Sequence, residues 1–446
     1  MREPTLFAMP EPEPEPVPAP TRREEARLVR PVRDQVEFVP RTLEELVAPG
    51  HPARAIWRLL EGLDLGAFYG AIRATLDRPG RPATDPQVLL AVWLLGTVEG
   101  VGSARRLARL CAEHDAYRWL CGGVPVNYHT LADFRVAHQG ALDDLLTQIV
   151  ASLLAAGAVR LERVAQDGLR VRAYAGESSF RRKGALERCL QEAQAQVERL
   201  ARERERPDPG VSGREQAARE RAAREREARV RQALAYLPRT QATKARQRAK
   251  YSKAKRARVT EPRLSTTDPQ ARVMKMPDGG FRPAYNVELA TDAAEGVIVG
   301  VAVTAAGVDA GQAAPMESQV LRRSGRHPQA YLMDGGFATR GDITTLERRG
   351  VPVYAPVRLP RNHPPEQRYA PRPGDSAEVG CWRRRMQTAA AQQVYRQRAA
   401  TAEWANAQLR QHGLGRFTVR GLAKVTTVML LVAISHNLLR WAAVLG

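Results

Sequence analysis

Between Thr42 and about residue 158, apolar positions recur at spacings of three and four, the period of helices buried along one face. "TLEELV" opens on a Thr with a Glu three positions later, the signature of a capped helix start. "DPQVLLAVWLLGTVEG" is apolar almost throughout behind a capping Asp85 and Pro86 at the first helical position, which predicts a buried helix. "SARRLARLCAEH" and "HTLADFRVAH" are amphipathic and basic, joined through the turn "GGVPVN", and "ALDDLLTQIVASLLAAG" follows. Together they predict a bundle of about five helices. Short basic helices around a glycine turn suit helix-turn-helix reading of DNA. A plain bundle used for self-association has the same periodicity.

The period changes at "RVAQDGLRVRAYA" (163–175), where alternation predicts a strand or a tight hairpin. Residues 185 to about 258 return to an Ala/Glu/Arg-rich helical pattern, broken once at "PDPG", which predicts two antiparallel helices projecting from the body. "RPAYNVELATDAAEGVIVGVAVTAA" then predicts two strands around a turn, "QAYLMDGG" a third, "GDITTLERRG" a short helix and "VPVYAPVR" another strand. Residues 359 to about 388 are Pro/Arg-rich and predicted irregular. "AAAQQVYRQRAATAEWANAQLRQHGL" is a long helix closed by Gly413, and a final helix runs from 421 to about 443. The order is that of an α/β core whose first two strands are separated by a helical insertion, behind an all-α N-terminal domain. The expected boundaries are 1–40 for a disordered Pro/Glu tail and linker, and 41–158 for the helical domain. The core takes 159–184 and 262–446, and the insertion takes 185–261.

Composition adds a partner to this picture. An excess of 69 Lys and Arg over 48 Asp and Glu, a net charge of +21, favours a polyanion held through phosphate contacts. Nucleic acid fits better than a membrane. No signal peptide is evident, and the most apolar run, Val425 to Ile434, is too short to span before Ser435, His436 and Asn437. It reads as a buried helix whose polar residues make hydrogen bonds. The four scattered cysteines predict neither disulfides nor zinc, as in a reducing cytoplasm. Charge concentrates in residues 239–258, "RTQATKARQRAKYSKAKRAR", which hold nine Lys or Arg and no acid. Lys244, Arg246, Lys250, Lys253, Lys255 and Arg256 are its candidate phosphate contacts.

Three carboxylates hold notable places. Asp167 lies in the first strand, Asp334 ends the strand "AYLMD", and Glu403 lies in the long helix. Each has an ordinary explanation: a "DG" hairpin turn for Asp167, a cap before two glycines for Asp334, a solvated helix surface for Glu403. Brought together, two strand-end aspartates and a helix glutamate make an oxygen cage for Mg²⁺. Two such ions catalyse in-line phosphoryl transfer. Glu347 and Glu378 rival Glu403 as the third acid. Asp268, Asp292 and Asp309 fall in the predicted hairpin region, Asp292 in a turn where a loop role is its default, and Asp342 caps a helix.

Four blocks in order ("VAQDGLRVRAYA", "STTDPQARVMKMPDGGFRPAYNVELATD", "YLMDGGFATRGDITTLERRGVPVYAPVR" and "YRQRAATAEWANAQLRQHGLGRFTVRG…NLLRW") resemble the DDE transposases of bacterial insertion sequences. The run from "RPATDPQ" to "DFRV" is similar to the helical domain that precedes their catalytic domain. The resemblance implies a ribonuclease-H-like fold, with Asp167, Asp334 and Glu403 as catalytic acids binding two Mg²⁺, or Mn²⁺ in their place. It implies hydrolysis at the element's ends and joining of the freed 3′-hydroxyl to target DNA. The partners implied are terminal inverted repeats and target DNA, with a second copy of the chain, in the bacterial cytoplasm at the nucleoid, and with no small-molecule substrate. Related families carry Tyr, Arg and Lys on the third acid's helix. Counted at the usual offsets from Glu403, those positions hold Arg396, Ala399 and Arg410. Arg396 and Arg410 share a face with Glu403 and are candidate DNA contacts, as are Arg416 and Arg420 beyond the helix. Two other functions stay open: a catalytically silent DNA-binding derivative, and a nuclease that cuts without joining.

Overall fold

The computed structural model describes residues 34, 36, 38, 40–74, 82–205, 210–249, 256, 260–359, 364–411 and 414–445; the side chains of 403, 404, 411, 444 and 445 lie outside that set. The chain divides into two units, Met1–Thr42 and Leu43–Gly446. The Pro/Glu stretch expected as a disordered tail falls outside the described residues, as do Lys250, Lys253, Lys255 and Gly413. The second unit is described below.

Its N-terminal part is helical: α1 Pro52–Glu61, α2 Gly66–Tyr69, α3 Pro86–Val98, α4 Ala104–Glu113, α5 Asp115–Cys121, α6 Tyr128–Ala137 and α7 Gln139–Ala155. Local chemistry starts them where expected. Asp85 accepts from the Gln87 N–H at 2.8 Å with Pro86 in the first position, and Asn127 accepts from the Thr130 N–H at 2.9 Å. "TLEELV" differs: it makes only a single 3₁₀ turn, Leu43–Leu46, because the chain turns at Pro49–Gly50 before a helix can extend.

The C-terminal part is mixed α/β. Its sheet uses β1 Val164–Arg172, β4 Arg272–Lys275, β5 Phe281–Asp292, β6 Ile298–Thr304, β7 Tyr331–Met333 and β8 Val353–Tyr354; β2 Phe180–Arg181 and β3 Leu264–Ser265 pair separately. The strand order is β4-β5-β1-β7-β8, with β6 also on β5. β1 is antiparallel to β5 and parallel to β7, with Gln166 opposite Met333. "VAQDGLRVR" is thus one continuous strand, and "DG" is not a turn in it. Helices cover both faces: α10 Ala313–Ser324 packs on β5 and β6, and α13 Ala389–Gln411 packs on β1, β5, β7 and β8. α11 Arg340–Arg348 and α12 Ala377–Gln387 pack on each other beside β8. The stretch 359–388, expected irregular, therefore holds a helix, started by Ser376 accepting from the Val379 N–H at 3.4 Å and buried through Val379, Trp382 and Met386.

The last helix, α14 Leu422–Leu445, joins the two parts: it packs on β6 and on α1, α3, α6 and α7. Val425, Met429, Leu430 and Ile434 are almost wholly buried in this seam, each contributing about 1.5–3 kcal/mol by leaving water. Leu422–Ala443 is long and apolar enough to cross a membrane, and 67% of it is buried inside the protein. The apolar run is longer than the ten residues read from the sequence, so packing rather than length accounts for it. Asn437 pairs with both backbone groups of Ile298 at 2.8 Å, and His436 Nε2 lies 2.8 Å from the Gly296 carbonyl. These bonds tie the helix to the edge of β6 without leaving a buried polar group unsatisfied.

Between β2 and β3 come α8 Lys183–Glu205 and α9 Gly213–Ala249. Arg226 meets Glu192 while Arg204 meets Glu220, so the two helices run in opposite directions side by side. At their root, Leu186, Ala233 and Leu237 pack with Leu264 of β3.

Candidate active site

Side-chain alternation along β1 puts Asp167 on the same face as Ala165, and Ala330 and Leu332 continue that face on β7. Ala165, Ala330 and Leu332 form a small core with Val394 of α13. Asp334, one residue beyond β7, follows Leu332 in phase. The two aspartates thus stand at adjacent positions on neighbouring parallel strands, whose backbones are about 5 Å apart, under α13. Both are only partly buried.

α13 turns a stripe toward them. Ala391, Ala402, Ala405 and Leu409 are buried against the sheet, and Tyr395, Arg398 and Asn406 lie at the same helical phase or beside it. Arg398 Nη2 donates to Asp167 Oδ1 at 2.8 Å, and Asn406 Nδ2 donates to Oδ2 at 2.7 Å. Burial nevertheless pushes the Asp167 carboxyl above its ordinary value; the Asp334 charge adds to this, while Arg398 and Asn406 oppose it. Burial likewise raises the Tyr395 phenol, which senses Arg398 and both aspartates. Two buried atoms at this spot make no hydrogen bond among the described residues, Arg398 Nε and Asn406 Oδ1.

The turn after β7 fixes Asp334. Its Oδ1 accepts from the Gly336 N–H at 2.5 Å and the Phe337 N–H at 3.4 Å. Gly335 and Gly336 are needed for close approach. A Cβ at 335 would lie 3.2 Å from Arg358 Nε, and one at 336 would lie 2.8 Å from Asp334 Oδ1 and 3.1 Å from Asp309 Oδ2. Asp309 Oδ1 also presses on Gly168, at 3.1 Å from a Cβ there. One carboxylate therefore braces the glycines that follow both aspartates.

The opposite face of the sheet holds a buried polar chain. Asn286 Nδ2 donates to Asp309 Oδ1 at 2.8 Å and to Glu288 Oε1 at 2.6 Å. Gln166 Nε2 donates to Glu288 Oε2 at 3.3 Å, and Gln166 Oε1 accepts from the Tyr331 hydroxyl at 2.7 Å. Burial and the Asp309 charge push Glu288 up to about 8.

The other candidates fall in different places. Glu347 accepts from Arg385 at 2.5 and 2.8 Å, and Glu378 from Arg348 at 2.9 Å, so both rivals to Glu403 are engaged in ion pairs. Glu378 lies in the first turn of α12, not in a loop. Asp342 accepts from the Gly311 and Ala314 N–H groups, Asp268 from the Tyr285 hydroxyl, and Asp292 from the Leu161 N–H. The backbone of 403 lies in α13 one turn before Asn406, and its side chain is outside the described set. Arg396, Arg410, Arg416 and Arg420 are exposed. Lys244 Nζ donates to the Thr260 carbonyl at 3.2 Å, Arg256 Nη2 donates to the Ala249 carbonyl at 2.8 Å, and Arg246 is exposed. From the sequence, Tyr395, Arg398 and Asn406 are passed over, and Asp309 is named without a place in the site. Offsets counted back from Glu403 land on Arg396 and Ala399, whereas the Tyr and Arg that reach the aspartates sit one residue earlier. The buried stripe of α13 carries that signal. Among the described residues no three His, Cys, Asp or Glu side chains gather around a common point.

Residues 41–137 match the family model of a transposase domain, and residues 253–438 match that of the transposase DDE domain. Asp334 and position 403 lie inside the second match; Asp167 lies between the two and comes to Asp334 through the pairing of β1 with β7. No curated protein and no solved structure matches the chain. The two matches follow one another in the order that a helical part and a mixed α/β part take here, and the chain belongs to the DDE transposases.

Proposed function

We propose that this transposase cuts DNA at the ends of an insertion sequence and joins the freed 3′-hydroxyl to a target, using Asp167, Asp334 and Glu403. The observation that carries this is the pair of half-buried aspartates on adjacent parallel strands, beneath the helix that bears position 403. In this reading the mixed α/β part is a ribonuclease-H-like core, and α8–α9 is a basic helical insertion.

The donor set suits hard divalent cations. Two carboxylates and the unpartnered Asn406 Oδ1 are oxygen ligands of the kind Mg²⁺ takes, and Mn²⁺ in its place. Bound there, two such ions neutralise charge on the attacking and leaving oxygens of an in-line displacement at phosphorus. The chain's own groups do the rest. Arg398 holds Asp167 in a single orientation and balances its charge. Asp309 and the glycine turns fix where Asp167 and Asp334 stand. Arg396 and Arg410, at the helical phase of 403, present guanidiniums to the DNA backbone. Lys244, Arg246 and Arg256, with the Lys-rich segment around 250–255, extend the phosphate-binding surface, and the N-terminal helices bind the terminal repeats and a second copy of the chain.

The test is a supercoiled plasmid carrying the DNA that flanks this reading frame, incubated with purified protein and Mg²⁺. Nicked ends and joined products are expected. Nicks without joining indicate a nuclease, and binding with neither indicates a silent derivative.

A further inference from the structure

Beyond the aspartates, β1 leads to a second cluster. Tyr174, two residues past the strand, is 41% exposed. The guanidinium carbons of Arg416 and Arg420 lie 5.2 and 4.8 Å from its ring centroid. Both arginines are exposed, and among the described residues neither forms an ion pair. Their segment is pinned to the end of β1: Arg172 and Arg416 bridge in parallel, and the Phe417 N–H donates to the Arg172 carbonyl at 2.9 Å. Phe417 is buried edge-on against Tyr285 beneath them. A third element adds to the charge. Arg229 of α9 is partly buried, its Nε has no hydrogen-bond partner among the described residues, and its charged form is disfavoured first by burial and then by Arg420. Glu225, on its own helix, pairs with it at 3.5 Å.

A tyrosine carrying one stacked arginine is common on protein surfaces and needs no ligand. This cluster asks for more. Two separate segments bring cations to one tyrosine, and among the described residues Glu225 is the acid paired with them. Such an arrangement costs energy in the free protein unless a polyanion relieves it. With two guanidiniums already over its ring, Tyr174 serves as their brace rather than as a stacking platform for an unpaired base. What remains free is the planar donor edge of each arginine, which suits phosphate oxygens.

We propose that Tyr174, Arg416, Arg420 and Arg229 form a cradle for the phosphate backbone of duplex DNA, on the same strand as Asp167. From Asp167 to Arg172 the strand rises about 17 Å, about five base pairs of duplex, and Tyr174 lies two residues further along the chain. The cradle thus holds the duplex at a fixed distance from the bond to be cut. This rests on the DNA-cutting function proposed above.

The test uses the full-length chain and a labelled random-sequence duplex about 30 bp long, with binding followed by anisotropy across a salt series. Arg416→Gln/Arg420→Gln is expected to lower the slope of log affinity against log salt by about 2. Arg420→Gln alone should lower it by about 1, and Arg420→Lys should keep it. Tyr174→Phe should bind as the wild type does, and Tyr174→Ala more weakly. The cradle is overturned if the folded double variant keeps the wild-type slope, as it would if the cluster served an acidic protein, or if Tyr174→Phe binds as weakly as Tyr174→Ala. Mg²⁺-dependent plasmid nicking by the same wild-type preparation separates the two levels. Nicking with an unchanged slope in the double variant removes the cradle alone; no nicking or binding by the wild type removes the DNA-cutting function and the cradle with it.

Discussion

On the face of the sheet covered by α13, Asp167 and Asp334 are partly open to solvent, while on the opposite face Glu288 is wholly buried and pushed up to about 8. Both faces of the one sheet carry acids, Asp167 on β1 and Glu288 on the neighbouring β5. The buried one is closed in by Asn286 and Gln166, which donate to both of its oxygens. Asp167 keeps its charge balanced by Arg398, but its side chain stays 23% exposed. A perturbed carboxyl is therefore a poor guide to chemistry by itself. Access, and a second acid on the adjacent strand, separate a reactive pair from a structural one. Asp309 accepts from Asn286 and lies beside Gly168 within β1 and Gly336 in the turn after β7.

The largest expected effect breaks the open face. Asp167→Asn or Asp334→Asn should lower Mg²⁺-dependent DNA cleavage by at least about a hundredfold, with the melting temperature hardly changed. Wild-type cleavage by either variant removes that aspartate from the chemistry.

The brace at Asp309 comes next. Gly336→Ala puts a methyl 2.8 Å from Asp334 Oδ1 and 3.1 Å from Asp309 Oδ2 and should cut cleavage about 10- to 100-fold by displacing Asp334. Asp309→Ala in the same chain should restore part of the loss, and a double-mutant cycle reads the coupling. Strictly additive losses would mean that the brace does not act through Gly336.

Glu288 sharpens the contrast through pH. Its folded value, raised to about 8 from 4.5, means that the folded state prefers the protonated form. The stability it contributes is full below about pH 4.5 and is lost as pH rises through about 8. Thermal melts should therefore show the wild type losing a few degrees across that window, with Glu288→Gln flattening the loss. Equal slopes in both proteins would place the titration elsewhere.

The smallest effect on chemistry belongs to the rival acid. Glu347→Gln weakens its pair with Arg385 and should cost about 1–3 kcal/mol of stability, read by denaturant melts, while leaving cleavage within about twofold. A collapse of cleavage without a loss of stability would make Glu347 the third acid.

Much of the layout was legible in the residues. The Asp85 cap, the strand around Asp167, the strand ending at Asp334 and the long helix after it follow from local periodicity and capping. Three things did not. The helix Ala377–Gln387 hides behind a Pro/Arg-rich lead-in, and its start rests on one serine. Tyr395 and Arg398 were passed over because offsets were counted from Glu403 and not from the stripe that packs on the sheet. Asp309 sits in a loop whose meaning comes only from tertiary contact with two glycines distant in sequence. Burial of α14 was expected from its polar tail, but its full length becomes evident only where it packs between the sheet and the N-terminal helices.

The central claim is that Asp167 and Asp334 together hold a divalent cation. Calorimetric titration of Mn²⁺ into the full-length chain tests it without reference to activity. The account predicts saturable binding by the wild type that is lost, or weakened at least about tenfold, in both Asp167→Asn and Asp334→Asn. Wild-type affinity and stoichiometry in either variant would contradict it.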